Sequence, residues 1–314
     1  MSSRYNTHRE FAIVAAKGAG KLLREDFHRE NGPQGTRHHA LVDEETESVI
    51  YEVLTKNFPE FGYLEEELGH KRPSVDPEKH LWLVDPNDGT SAFMQGFRGA
   101  AVSIALLRHG KPVLGVVCAF NYPDDSGDLI SWIQDGPVIR NDLALYREWP
   151  SSPTQEQTVL LPQSADKNPE ANAQKVEPMR YRPVPSIAYR LALVAVGDGD
   201  VAISLNGPTG WDCAAGHAIL MGAGGDLFDA DGKPLRYSSE GKSQHSAYVF
   251  GGTWDLVRHL INREWEYVFE RPEKNRFHAR NGRRPVILVE GCLGSIESGF
   301  GIFARHDISM VQGG

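Results

Sequence analysis

The chain has 314 residues and carries 33 Lys and Arg against 42 Asp and Glu, a formal net charge of −9. That balance argues against a nucleic-acid scaffold, whose binding face is basic. With 40% of residues hydrophobic and 32 glycines besides, the composition is that of a globular domain and excludes a disordered, collagen-like or coiled-coil chain.

The length is near the size at which one core divides, roughly 250–300 residues. One compact unit with two halves is therefore expected: an N-terminal half over 1–150, a variable connecting segment over 151–182, a C-terminal half over 183–270 and a tail over 271–314. The three cysteines, Cys118, Cys213 and Cys292, form no CxxC pair, so neither a zinc site nor a disulfide framework is indicated and a reducing cytoplasm is the expected compartment. Residues 1–10 lack the apolar run of a signal peptide, and no stretch approaches the roughly 18 unbroken apolar residues that span a bilayer.

In chain order, Phe11, Val14, Ala15, Leu22 and Leu23 recur at helical spacing and predict a first helix over 10–27. A turn at 31–35 and a short His-bearing stretch over 36–42 lead to a second helix over 43–58, with Val49, Ile50, Val53 and Leu54 inward. The apolar run 81–84 reads as a strand ending in Asp85-Pro86, and 101–107 and 112–119 read as a hairpin turning at Gly110. From about 149 to 182 the sequence turns to Ser, Pro, Gln, Asn and Lys with few apolar anchors, which marks the boundary between halves. A helix over 186–196, a strand over 201–205, a small-residue helix over 211–222 and a strand and helix over 247–269 complete the second half.

Three windows carry chemistry. In the first, the strand delivers Asp85 and Asp88 three residues apart, followed by Gly89-Thr90 and a helix start. Such a turn can aim Asp85, the carbonyl of Asn87 and Asp88 at one point, an oxygen set suited to a hard divalent cation whose remaining positions go to water and phosphate. N–H groups at Gly89 and Thr90 suit the phosphate. The same residues equally form an Asx-type turn and a helix N-cap. In the second window, Glu65, Glu66 and Glu67 follow a short strand and also read as a solvated charge run. In the third, Asp212 heads the small-residue helix and also reads as its cap.

Taken together and in order, Glu66-Glu67, Asp85-Pro86-Asn87-Asp88-Gly89-Thr90 and Trp211-Asp212-Cys213-Ala214-Ala215-Gly216 resemble the motifs of the inositol monophosphatase superfamily of metal-dependent, lithium-sensitive phosphatases. The resemblance spans about 10–269 and implies an α/β fold, a layered α-β-α-β-α sandwich. It implies that Glu66, Asp85 and the Asn87 carbonyl hold one Mg²⁺, that Asp85, Asp88 and Asp212 hold a second, and that Asp88, Gly89 and Thr90 bind phosphate. Asp43 matches a further acidic position, which works with Glu66 and Thr90 to orient the attacking water, with a third Mg²⁺ in some members and Mn²⁺ as an alternative ion. Independently of the family, four or five carboxylates meeting in one cleft repel and raise each other's pKa values unless cations neutralise them.

The implied activity is a Mg²⁺-dependent phosphomonoesterase acting on a small phosphorylated metabolite, of the nucleotide 3′,5′-bisphosphate or sugar and inositol phosphate class, with histidinol phosphate as a further candidate. The competing reading is a catalytically silent metal- and phosphate-binding regulatory module of the same fold. The expected assembly is a homodimer, with no nucleic-acid polymer and no membrane as partner.

The chain departs from the family at several points. Asn87 stands where Ile or Leu is usual, Glu65 where Gly is usual, and 40–42 lacks the customary Thr. The strand 201–205 lacks the Glu with which inositol-specific enzymes bind sugar hydroxyls, which turns the expected substrate away from myo-inositol phosphate. Tyr189 and Arg190, near the shortened connecting stretch, are candidate substrate contacts. Lys17-Gly18-Ala19-Gly20-Lys21 fails the P-loop pattern at Ala15 and Leu22. The histidines His38, His39, His70 and His80 match no zinc spacing.

Overall fold

The structure, a computed structural model, describes residues 4–69, 71–243 and 247–265. The tail 271–314, the end of the 247–269 segment and His70 lie outside the described residues.

The chain opens with α1 (Asn6–Phe27), a minor hairpin of β1 (Gly35–Thr36) and β2 (His39–Ala40), and α2 (Leu41–Asn57). There follow β3 (Gly62–Glu65), β4 (Lys71–Arg72), β5 (His80–Asp88), the single turn α3 (Thr90–Phe93), β6 (Ala101–Arg108), β7 (Lys111–Ala119), β8 (Asp128–Ile133), β9 (Val138–Arg140) and β10 (Leu143–Leu145). β3 to β10 form one sheet in the order β10-β9-β8-β7-β6-β5-β3-β4. The predicted hairpin is β6 and β7, joined by His109 and Gly110, both with positive φ, the backbone that tight two-residue hairpin turns require.

The second sheet contains β11 (Thr158–Leu161), β12 (Arg180–Pro183), β13 (Val201–Ser204), β14 (Asp226–Asp229) and β15 (Val249–Gly252), in the order β12-β11-β13-β15-β14. Its helices are α4 (Pro169–Val176), α5 (Ile187–Val196), α6 (Gly210–Gly222) and α7 (Trp254–Val257). The polar stretch over 151–182 therefore supplies more than a connection. It contributes β11 and β12, and Val159, Leu160 and Leu161 are fully buried, too short an apolar run to stand out amid the Ser, Pro and Asn around it.

Three buried clusters set the layers. The first packs α1 and α2 on one face of the large sheet through Leu23, Ile50, Leu54, Trp82 and Val84. The second packs α5 and α6 between the sheets, with Leu81 and Leu83 on one side and Leu227 and Val249 on the other. The third covers the outer face of the small sheet with Val176, Leu256 and Leu260. The result is the layered α-β-α-β-α sandwich.

β5 is buried on both faces because both are covered by helices, which is why it reads as an unbroken apolar run. Its two-residue period sends Trp82 and Val84 toward α1 and α2, and Leu81 and Leu83 toward α5 and α6. Asp85 continues the second set. α6 can approach closely because its core-facing residues are small: a Cβ on Gly216 would stand 2.5 Å from the carbonyl oxygen of Ala188 in α5.

Candidate active site

A cleft of about 760 Å³ opens where the end of β5 meets the N-termini of α5 and α6. Glu66, Asp85, Asn87, Asp88, Gly89, Thr90, Arg190 and Asp212 all line it. Glu66, Asp85 and Asp212 each bring one carboxylate oxygen within 4.8 Å of the others. Glu66, rather than Glu65, faces the cluster: Glu65 closes β3 and is buried.

The local turn chemistry and the cluster chemistry coexist on the same side chains. Asp85 Oδ1 accepts the Asn87 N–H at 2.8 Å, an Asx-type turn. Asp212, third residue of α6, accepts the Thr209 N–H at 2.6 Å through Oδ2, so it caps the helix from inside its first turn. Asp88 Oδ2 accepts both the Ser186 hydroxyl at 2.5 Å and the Ala188 N–H at 2.7 Å. Each carboxylate anchors its turn with one oxygen, and the other remains for the cleft. Gly89 bends the chain there at φ +100°, a left-handed conformation that a Cβ would strain, and a Cβ would also crowd Pro185 at 3.2 Å. The Thr90 hydroxyl donates to the Asn87 carbonyl at 2.8 Å.

Burial and mutual repulsion raise these acids. Desolvation, then Asp212, Glu67, Asp88 and Asp43, push Glu66 up to about 8. Glu66 is an exposed residue, but its carboxylate lies against the other acids, and that placement governs its proton affinity. Desolvation and then Asp212 push Asp88 up to about 7, against the pull of the Ser186 and Ala188 hydrogen bonds. Asp85 is raised by desolvation and by Glu66, Asp88 and Asp212, and Asp212 by desolvation. A set of hard oxygen donors held in this way fits a divalent cation. The buried side-chain oxygen of Asn87 has no donor among the described residues.

The remaining expected residues divide. Asp43 is fully buried on α2 and does not line the cleft. Its oxygens accept the Asn87 side-chain amide at 2.9 Å and the Ala40 N–H at 3.0 Å, and desolvation pushes it up to about 6. Arg190 lines the cleft but is buried, and its Nη1 donates to the carbonyls of Val184 and Pro185 at 2.6 and 2.8 Å. Tyr189 does not line the cleft. Its ring is in the core and its hydroxyl donates to Asp128 at 2.7 Å. Consecutive helical residues diverge by about 100°, so Tyr189 and Arg190 cannot share one face.

Sequence reading missed Ser186, whose hydroxyl both accepts the Tyr189 N–H at 2.9 Å as the cap of α5 and donates to Asp88. Its position at a helix start was the available signal. Arg37 and Lys167, exposed on the cleft wall, were missed because nothing local marks them. Neither pairs with a carboxylate among the described residues.

Fold and cleft together define a layered α/β protein with a carboxylate-lined, phosphatase-like centre. The inositol monophosphatase family model matches residues 5–262, and the chain belongs to that family, whose members among its relatives are phosphoric monoester hydrolases. It is 32% identical over 235 residues to an inositol-1-monophosphatase of Mesorhizobium japonicum, covering 70% of this chain and 84% of that protein. It is 31% identical over 196 residues to the 3′(2′),5′-bisphosphate nucleotidase CysQ of Escherichia coli K12, covering 61% and 76%. The solved inositol monophosphatase of Anabaena (Nostoc) sp. PCC 7120 superposes with a TM-score of 0.65 at 24% identity over 82% of this chain and 95% of that one. Among the described residues no helix is long and apolar enough to cross a membrane.

Proposed function

We propose that this protein is a Mg²⁺-dependent phosphomonoesterase for a small metabolite that carries a second anionic group, with a nucleotide 3′,5′-bisphosphate or a sugar phosphate ahead of inositol phosphate. The observation that carries the reading is the convergence of Glu66, Asp85 and Asp212 within 4.8 Å in an open cleft. Two features support the substrate class. β13 brings Ser204 rather than a Glu to the cleft, and Arg37 and Lys167 offer positive charge on its wall that no carboxylate among the described residues pairs. The likeness to a bisphosphate nucleotidase points the same way.

Glu66, Asp85, Asp88, Asp212 and the Asn87 carbonyl would hold two Mg²⁺ ions, or Mn²⁺. Bound there, the cations supply positive charge that lowers the pKa of water and neutralises the phosphate. The chain's own groups do the rest. Backbone N–H groups at Gly89 and Thr90 receive the phosphate oxygens. The Thr90 hydroxyl and the Glu66 carboxylate orient the attacking water, and Glu66, ionised when cations offset the neighbouring acids, accepts its proton. Asp43 acts from behind, through Asn87. A P–O bond forms to water, the ester P–O bond breaks, and the leaving alkoxide takes up a proton. Ser186 keeps Asp88 aligned throughout.

The test is inorganic phosphate release from a panel of nucleotide bisphosphates and sugar, inositol and histidinol phosphates, with and without Mg²⁺. Metal-dependent release from a doubly anionic substrate is expected, with Li⁺ inhibition in the rough submillimolar-to-millimolar range through competition at a loosely hydrated Mg²⁺ position. Metal binding by calorimetry without release from any compound would favour the silent regulatory module.

A further inference from the structure

Arg37 and His38 form the tip of the β1–β2 hairpin, and both line the same cleft as Glu66. The hairpin is a sheet by itself with two residue pairs, Gly35 with Ala40 and Thr36 with His39. A ladder that short does not hold its place in water, so the position of its tip is decided by what His39 and Ala40 meet. Ala40 is fully buried, and its N–H donates to Asp43, which is held in turn by the Asn87 amide on β5. His39 makes the second tie: its Nδ1 lies 3.0 Å from Glu67 Oε2. A carboxylate oxygen accepts, so Nδ1 carries the proton in this pair. Nε2, 3.8 Å from Glu44 Oε1, is beyond hydrogen-bond reach, and the Glu67 bond is the one that orients the ring.

Glu67 follows directly on Glu66. Of the carboxylates that gather in the cleft, Asp85 and Asp88 stand on β5 and Asp212 on α6. Glu66 stands in the bend 66–68, past Glu65, where the ladder of β3 with β5 ends. That bend is tied on its far side, by His39 to Glu67 and by the fully buried Glu47 of α2, whose Oε2 accepts the Leu68 N–H at 2.7 Å. Asp43 lies within 4.8 Å of the His39 and Glu67 pair, but its oxygens already accept from Ala40 and Asn87, so the three side chains form a hydrogen-bonded strut. One imidazole thereby joins the wall that carries Arg37 to the bend that carries Glu66.

We propose that His39 is a positioning residue: through its bond to Glu67 it locks the β1–β2 tip, with Arg37, to the bend that holds Glu66, so that metal binding and substrate binding depend on one hydrogen bond. This rests on the reading of the cleft as the site of a Mg²⁺-dependent phosphatase.

The test compares wild type, His39→Ala, His39→Asn, Glu67→Ala and the double alanine variant. Isothermal titration calorimetry with MgCl₂ is set beside phosphate release from a nucleoside 3′,5′-bisphosphate over a grid of Mg²⁺ and substrate concentrations, with folding checked by circular dichroism. His39→Ala should weaken Mg²⁺ binding and raise KM, each by about tenfold or more, the range for groups that orient metal ligands, with the change falling on these two constants rather than on kcat. Glu67→Ala should do the same, and the double variant should be no worse than either single one, because all three remove the same bond. His39→Asn, whose Nδ2 can take the place of the ring Nδ1, should restore both constants. A merely structural role would lower the melting temperature and move neither constant. Wild-type constants in a folded His39→Ala protein overturn the inference, as does a shift in one constant without the other. A folded His39→Asn protein as weak as the Ala variant is expected to be, or a double variant whose losses add, overturns it too. If His39→Ala does not fold, the Asn and Glu67 arms decide, and wild-type constants in Glu67→Ala overturn the inference. A wild-type protein without Mg²⁺-dependent phosphate release overturns the proposed function and this inference together. Wild-type turnover with an indifferent His39→Ala overturns the inference alone.

Discussion

The hydroxyl of Ser186 lies 2.5 Å from Oδ2 of Asp88, 98 residues earlier in the chain, and the Ala188 N–H meets the same oxygen at 2.7 Å. The N-terminus of a helix from the second sheet thus grips the end of a strand from the first. Ser186→Ala removes both the cap of α5 and a donor to Asp88. Loss of the cap should lower stability by about 1 kcal/mol, and release of the Asp88 carboxylate should lower turnover by about tenfold or more. Thermal melting and steady-state rates check both, and an unchanged rate would remove Ser186 from the working site.

Asp85 is the carboxylate shared by the whole cluster. Asp85→Asn should reduce phosphate release by on the order of a thousandfold, about 4 kcal/mol of barrier. Near-normal turnover in that variant would rule out the assigned cleft.

The raised acids make the metal-free protein's stability fall with pH. Above about pH 7 unfolded Asp and Glu are fully ionised, whereas the folded protein still holds protons on Asp88, at about 7, and Glu66, at about 8. The native state binds more protons than the unfolded one, so stability drops as pH rises through these values. His8, held at about 4 by burial, stays neutral throughout. The melting temperature in chelator should be lower at pH 9 than at pH 7, and saturating Mg²⁺ should flatten the difference. A melting temperature in chelator that rises over this interval would contradict the clustering.

Lys167 and Arg37 stand on the cleft wall away from the carboxylates' own turns. Lys167→Ala and Arg37→Ala should each raise KM for a doubly anionic substrate by about tenfold, the worth of one charge-assisted hydrogen bond, and leave kcat and KM for a singly phosphorylated analogue alone. Equal effects on both substrates would place the second anion elsewhere.

Tyr189 bonds Asp128, which also receives Arg140 Nε at 2.9 Å and Arg140 Nη2 at 2.8 Å. Tyr189→Phe should therefore lower stability by about 1 kcal/mol with kcat and KM intact. A large rise in KM would return Tyr189 to the substrate.

Much of this protein is legible in one dimension. The run Leu81 to Val84 marks a strand leading to an acid, but the expected end at Asp85-Pro86 is instead a bulge between Asp85 and Asp88, through which β5 continues to Asp88. The motif Asp85 to Thr90 carries its turn with it, since Gly89 alone accommodates the φ there. The layered architecture is what the resemblance of the three motifs implies, and the three buried clusters between helices and sheets bear it out. Tertiary structure decided everything that depends on which faces meet. The segment 151–182 joins a sheet because Val159, Leu160 and Leu161 find partners in β12 and β13, and no local pattern reports a partner. Tyr189 turns inward and Arg190 toward the cleft because the rotation of α5 is set by its packing between two sheets. The double duty of Asp85 and Asp212, one oxygen on a turn and another in a cluster, exists only after α6 has closed on β5. Periodicity records which side chains one element presents together, and only packing brings the carboxylates of different elements within reach of one another.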